Sequence, residues 1–371
     1  MKVAQLLPAM EQGGVETVVC DLNRVLVRAG WSSVVVSSGG RLAGRVERDG
    51  GRHLTLDLKS KNPLTYPWRV LRLRRLLRRE RPDLICVHSR VPAWLYVGVR
   101  GVEALAGEGG RPASRAFNLS AVPWITYAHG ANSVSRYSAV MTRGDLVVVP
   151  SRFLADYLKA NYGLSEAKLR IVPNAVDAER FDPARVDQAF MAEKRREWGI
   201  QAGDRVLMAV GRITKVKGLD DLIRRFARED GGPEAGTPQK LVIVGGADRR
   251  HRGYLESLRA MARSLGLDRP SGARSVVFAG PQEKIPECIA VADEIVSANT
   301  TKPETFGLAV VEAYAMDKPV RARRFGGVGE VMADVERSGC ASLREAVMKL
   351  YGLERYSAQT LAVYREALDM V

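Results

Sequence analysis

Short apolar runs alternate along the chain with longer stretches in which apolar residues return every three to four positions. The runs predict strands at Val3–Leu7, Ser33–Ser37, His53–Leu56, Leu84–Val87, Trp124–Tyr127, Leu146–Val149 and Arg170–Val172. A second series follows at Arg205–Val210, Leu241–Val244, Ser275–Phe278, Glu294–Ser297 and Pro319–Val320. Between them the helical period predicts, among others, Val15–Ala29, Arg69–Arg79, Arg152–Asn161 and Leu219–Ala227. Strand alternating with helix is the pattern of βαβ units, and buried parallel strands read as continuous apolar runs. The pattern restarts after residue 180. The polar, helical stretch Asp177–Trp198 carries no strand signal and reads as a connector between a first α/β domain, about 1–180, and a second, about 200–350. Gly107–Arg111 and Gly231–Pro238 read as exposed loops.

Composition narrows the class. The chain has 371 residues, 46% apolar and 27% charged, the balance of a globular protein rather than a disordered or fibrous one. Its net charge of +15 calls for an anionic partner: nucleic acid, a membrane surface or a phosphorylated ligand. An aromatic content of 6%, with no RRM, KH or zinc-finger pattern, argues against nucleic acid. Cys20, Cys86, Cys288 and Cys340 form no CxxC pair, so neither a disulfide scaffold nor a zinc ribbon is expected, and a reducing compartment fits. His53, His88, His129 and His251 are scattered, and no metal site is expected. No run approaches the ~20 apolar residues of a membrane span. The opening MKVAQLLPAM reads as a strand rather than a signal peptide, so the expectation is a cytoplasmic protein.

Five features carry candidate chemistry. Gly13 and Gly14, after Gln12, join the first strand to a helix N-terminus, where free N–H groups favour an anion; an ordinary βα turn is the plainer reading. No GxGxxG or GxxxxGK[ST] is present, which removes support for the dinucleotide and P-loop readings. His129-Gly130 follows strand 124–127, at the carboxyl end where open α/β sheets bind ligands. Gly211-Arg212-Ile213-Thr214-Lys215-Val216-Lys217-Gly218 places cations at another strand's carboxyl end, suited to a departing diphosphate. Residues 302–316, KPETFGLAVVEAYAM, predict a buried helix from about Phe306. Glu312 lies inside that apolar run, so it needs a partner: a ribose diol, or a structural arginine. Glu304 precedes the helix at its positive end, and the N–H groups of Phe306, Gly307 and Leu308 offer a phosphate cradle. Finally, residues 68–81 combine Trp68, an apolar face of Val70, Leu73, Leu76 and Leu77, and seven arginines. This fits either a membrane-surface helix or a domain helix with a solvated basic face.

Together these motifs resemble the retaining glycosyltransferases of family 4. PETFGLAVVE matches their E-x7-E signature at Glu304 and Glu312, and GRITKVKG their basic loop. The early GG, His129-Gly130, VPNAVD (172–177) and FGGVGE (325–330) follow in matching order. KNPL (61–64), HSRVPAW (88–94) and SRYSAVMTRGD (135–145) further resemble a bacterial subgroup that builds lipopolysaccharide core or other envelope glycans. The resemblance implies a GT-B fold: two Rossmann-like parallel-sheet domains facing each other across a cleft. It implies an acceptor-side domain at 1–180, a nucleotide-sugar domain at 181–352 and a helix at 353–371 that crosses back to the first domain. Implied catalytic residues are His129 at the donor sugar, Arg212 and Lys217 at the diphosphate, and Glu304 at the sugar hydroxyls. Implied donor contacts are Gly13, Gly14, Gln282 beside the base, the amides of Thr305, Phe306, Gly307 and Leu308, and Glu312 at the ribose. The implied reaction is metal-independent, retaining transfer from a nucleotide-sugar, a UDP-sugar before GDP- or ADP-sugar. No separate cofactor is implied. The acceptor would be lipid-linked or polysaccharide, reached at the inner face of the plasma membrane. Two departures stand out: Arg321-Ala322-Arg323-Arg324 replaces an apolar or small strand, and Glu330 reaches Tyr351 within 21 residues, where the family has some fifty or more before its closing helices. They leave a second reading open, a catalytically weakened sugar-nucleotide or glycan binder of the same fold.

Overall fold

The computed structural model describes residues 1–11, 13–107, 117–228, 238–269, 272, 274–297, 299 and 302–370. Residues 108–111 and 231–237 of the two expected loops lie outside them. The chain divides into two units, Met1–Ala175 with Leu353–Val371, and Val176–Gly352.

The first unit is a seven-stranded parallel sheet. Its elements are β1 (Lys2–Leu6), α1 (Gly14–Arg28), β2 (Ser32–Ser37), α2 (Ala43–Arg48), β3 (Arg52–Thr55), α3 (Tyr66–Glu80), β4 (Leu84–Val87), α4 (Arg90–Gly107), β5 (Trp124–Tyr127), β6 (Leu146–Val149), α5 (Arg152–Tyr162) and β7 (Leu169–Ile171). The order is β3-β2-β1-β4-β5-β6-β7. β4, β5 and β6 are buried throughout, which is why they were plain in the sequence. On one face α3 and α4 pack Val70, Leu73, Leu77, Leu95 and Tyr96 against Ile85 and Val87. On the other, α1 packs beside a last helix contributed by Leu353–Asp369.

The second unit runs α6 (Gln188–Glu197), β8 (Arg205–Val210), α7 (Leu219–Arg228), β9 (Gln239–Val244), α8 (Arg252–Ser264), β10 (Arg274–Gly280), α9 (Ile285–Val291), β11 (Glu294–Ser297), α10 (Leu308–Ala315), β12 (Val320–Ala322), α11 (Gly327–Glu336) and α12 (Leu343–Tyr351); the helix Leu353–Asp369 is α13. Five parallel strands take the order β10-β9-β8-β11-β12. Helices α7 and α8 cover one face through Leu222, Ile223, Phe226 and Leu258. Helices α9 to α12 cover the other through Ile289, Val310, Val311, Val331 and Val347. The stretch expected as a connector belongs to this unit. Phe181 and Trp198 are buried in its core, and Asp187 caps α6 by accepting from the Phe190 N–H at 3.0 Å. Two large anchors among many polar residues leave little hydrophobic pattern, so the sequence alone hides this packing.

The arginine run that departs from the family pattern has a local cause. At β12 the side chain of Arg321 is 44% exposed. Its guanidinium chelates Glu294 on β11 by two bonds, Nε to Oε1 at 3.0 Å and Nη2 to Oε2 at 2.9 Å. A charged, paired residue on an outermost strand also guards against edge-to-edge association.

Candidate functional site

The site in the second unit is assembled at the carboxyl ends of its strands. After β8 the chain turns through Gly211 and Arg212 to a 3-10 turn at Lys215–Lys217, closed by Gly218. After β11 it reaches Glu304 and Gly307, and α10 starts at Leu308, two residues later than expected. Gly307 sits at φ 99°, where a side chain is strained, and an added Cβ would lie 2.8 Å from Val328 Cγ2. The two loops meet in one pocket lined by Gly211, Arg212, Lys217, Ser297, Glu304 and Gly307. Within it Lys217 Nζ donates to Glu304 Oε1 at 2.6 Å, and both side chains keep partial exposure. Cation and carboxylate therefore hold each other while open to exchange with a ligand.

The FGGVGE loop fixes Glu304 from behind. The Gly327 N–H donates to the Glu304 carbonyl at 2.8 Å, and Glu304 forms a parallel bridge with Gly326. An added Cβ at Gly327 would lie 2.3 Å from the Thr305 carbonyl oxygen, so only glycine permits this approach. The Phe306 ring is buried edge-on against Tyr351, centroids 5.5 Å apart, and Leu308 packs on the same core. Those two residues therefore reach the pocket side only through their backbone. Glu312 is half-buried on α10 and is not itself one of the residues lining the pocket. Gln282, after β10, has its amide engaged locally, donating to the Ala279 carbonyl at 2.6 Å.

In the first unit Gly13 is the N-cap of α1 and Gly14 its first residue; Gln12 lies outside the described residues. The Glu16 carboxylate folds back so closely that an added Cβ at Gly13 would lie 2.6 Å from its Oε2. His129 follows β5 and is half-buried. Its Nε2 is 3.1 Å from Nδ1 of buried His88, at the end of β4, and the rings stack with centroids 5.4 Å apart. Tyr127 stacks on both, and its hydroxyl donates to that of Tyr364 at 2.9 Å. Burial lowers the His129 imidazole to about 4. Burial first, and then the neighbouring ring, lowers His88 well below its ordinary range. Both are neutral near pH 7. His88 is the residue that motif reading missed as chemistry: 41 positions separate it from His129, and only the adjacency of β4 and β5 brings them together.

Helix α3 divides the arginines of 68–81. Arg69 is buried and donates to the Ser60 and Asn62 carbonyls at 2.7 and 3.1 Å. Arg74 and Arg78 converge on buried Glu103 of α4 at 2.5 and 2.9 Å. Burial alone would raise the Glu103 carboxyl, but the two guanidiniums hold it below its ordinary range. Arg72, Arg75, Arg79 and Arg81 stay exposed, with Trp68, Leu71 and, just before the helix, Leu64. Arg72 lies over the Trp68 ring, 4.4 Å from its centroid. Among the described residues no helix is long and apolar enough to cross a membrane, and no group of three or more His, Cys, Asp or Glu could hold a metal ion.

Comparison with known proteins covers most of the chain. Residues 12–180 match the family model described as Glycosyltransferase Family 4, and residues 190–342 that of Glycosyl transferases group 1. A D-inositol 3-phosphate glycosyltransferase of Corynebacterium jeikeium is 30% identical over 242 residues, 60% of this chain and 55% of that protein. A GDP-mannose-dependent alpha-(1-6)-phosphatidylinositol monomannoside mannosyltransferase of Mycolicibacterium smegmatis is 34% identical over 201 residues, 51% of this chain and 47% of that one. The chain thus spans about half the length of these curated relatives. The HepE structure from Anabaena, solved with UDP and glucose, superposes with a TM-score of 0.75 at 18% identity over 98% of this chain and 99% of that one. The fold is GT-B.

Proposed function

Because the chain belongs to the glycosyltransferases of the family 4 type, we propose that it moves a sugar from a nucleotide-sugar to a lipid-linked or polysaccharide acceptor in bacterial envelope biosynthesis, of lipopolysaccharide type, with retention and without a metal. The observation that supports this best is the Lys217–Glu304 pair in a pocket that also holds Arg212. On donor binding, Glu304 exchanges Lys217 for hydroxyls of the transferred sugar. Lys217 and Arg212 then face the diphosphate, where charge develops as the sugar leaves. Glu312 serves the ribose, Gln282 the base side, and the backbone N–H groups of Thr305 to Leu308 the phosphate. His129 meets a hydroxyl of the sugar, and Gly13 and Gly14 give close backbone approach to the diphosphate or the acceptor. In the front-face course the bond from the anomeric carbon to phosphate oxygen breaks. The bond to the acceptor oxygen forms on the same face, and the acceptor's proton passes to the departing phosphate.

A UDP-sugar is the donor we favour; UDP in the HepE structure supports it, while the mannosyltransferase relative is named for GDP-mannose. That relative's name also carries a phosphatidylinositol glycan, which supports a lipid-linked acceptor. The exposed Trp68, Leu71, Arg72, Arg75 and Arg79 suit an anionic membrane face, so we place the protein peripherally on the inner face of the plasma membrane.

The test is a thermal-shift panel with UDP, GDP and ADP, without metal, on the wild type and on Glu312→Ala, followed by turnover with the sugar-nucleotides of the base that binds. A nucleotide at 100 times its Kd adds about 2.7 kcal/mol of stability. One base should shift the wild type and not the variant, and should support turnover that Lys217→Ala lowers by about 10²–10³. Binding without turnover would replace the enzyme with a sugar-nucleotide binder. No shift with any base would remove the donor assignment.

A further inference from the structure

We infer that His88 is a positioning residue for His129: it donates from Nδ1 to His129 Nε2 and thereby fixes His129 as the tautomer that carries its proton on Nδ1. This rests on the reading that His129 meets the transferred sugar. His88 Nδ1 and His129 Nε2 lie 3.1 Å apart in stacked rings, so one donates and the other accepts. The second nitrogen of His88 decides which. His88 Nε2 is buried and has no hydrogen-bond partner among the described residues. If His129 donated, His88 would carry its proton on that buried Nε2, an orphaned N–H. If His88 donates, Nε2 holds only a lone pair. Orphaned buried N–H groups are rarer than under-satisfied acceptors. Stacking of Tyr127 on both rings, at 4.7 and 5.9 Å between centroids, holds the two imidazoles at this orientation. Burial keeps both rings neutral near pH 7, so there is one proton per ring to place.

The consequence is chemical. His129 in this form carries its proton on Nδ1, so toward a sugar hydroxyl oxygen, or toward negative charge developing during transfer, that nitrogen acts as a donor and not as an acceptor. The opposite tautomer would make the same nitrogen an acceptor. His88 acts through His129 and does not itself touch the sugar.

Long-range ¹H–¹⁵N correlation on [¹⁵N]histidine-labelled protein at pH 7 reads the tautomers directly. The chain has four histidines, so His88→Asn and His129→Gln assign the signals. Both His88 and His129 should show protonated Nδ1; protonated Nε2 on His129 overturns the inference. Kinetics then separate positioning from packing. His88→Phe should lower kcat at least tenfold and leave the KM for the donor within about threefold. His88→Asn, whose amide can donate from nearly the Nδ1 position, should recover most of the loss. Equal loss in both folded variants, or a loss confined to KM, overturns it. Should His88→Phe fail to fold, the wild-type spectrum still decides. The predicted tautomers in a protein that turns over no sugar-nucleotide would leave the proton assignment standing and remove the transfer reading.

Discussion

The imidazoles of His88 and His129 set a pH dependence of stability. His129 titrates at about 4 when folded and near its ordinary 6.5 when unfolded, because burial disfavours its cation. As pH falls below about 6.5 the unfolded chain takes up the proton first, so stability is full above that value and is lost progressively down to about 4. From this one group the loss is on the order of 3 kcal/mol. Chemical denaturation at pH 7 and pH 5 should show the wild type losing more stability on acidification than His129→Gln. A second single-residue prediction concerns Gly327: alanine there drives Cβ into the Thr305 carbonyl, displaces Glu304 and should raise the KM for the donor at least tenfold in a protein that still folds. Motif spacing singled out Glu304, Arg212 and Lys217, which the fold brings to one pocket. It showed nothing of His88 beside His129 or of Gly327 behind Glu304, because strand order creates those contacts.

Elements were most legible where apolar residues fill the buried middle of a strand. The bounds of β4, β5, β6, β8 and β11 match their apolar runs residue for residue. Strand β9 starts two residues earlier than its run, because Gln239 and Lys240 are buried; Lys240 Nζ donates to the Gly272 carbonyl at 3.0 Å and pairs with Asp204 at 3.8 Å. Polar residues satisfied by distant partners erase the hydrophobic signal at such ends. Helix α3 shows the same limit: the seven arginines of residues 68–81 look alike in sequence, yet Glu103 on α4 claims two and the preceding loop one. Replacing the exposed Arg72, Arg75 and Arg79 by glutamine should therefore lower binding to anionic vesicles with little change in melting temperature. Replacing Arg74 and Arg78 together leaves the buried Glu103 carboxylate unpaired and should cost about 3–5 kcal/mol. Vesicle co-sedimentation and thermal melts separate the two sets; unchanged vesicle binding by the first set would rule out that face of α3.

For the molecule as a whole, the second unit is an insertion within the first: the chain leaves the first unit after Ala175 and returns to it at Leu353. Helix α13 supplies Tyr356, Val363, Tyr364 and Ala367 to the core formed with α1, β4 and β5, and Arg170 Nε donates to its Glu366 at 2.8 Å. Deleting residues 353–371 should lower the melting transition of the first unit far more than that of the second. Differential scanning calorimetry with the binding nucleotide, which should raise the second unit's transition most, would assign the two.

That return also orders events during synthesis. Tyr127 and Tyr364, joined by a hydrogen bond, are 237 positions apart. At 5–20 residues per second the ribosome needs roughly ten to thirty-five seconds to deliver the intervening second unit. Throughout that interval the α1, β4 and β5 face stands without its last helix, whereas the second unit has every residue of its own core before α13 is made. The nascent first unit is thus the part of the newborn chain with most need of a chaperone, and it closes only when α13 clears the exit tunnel.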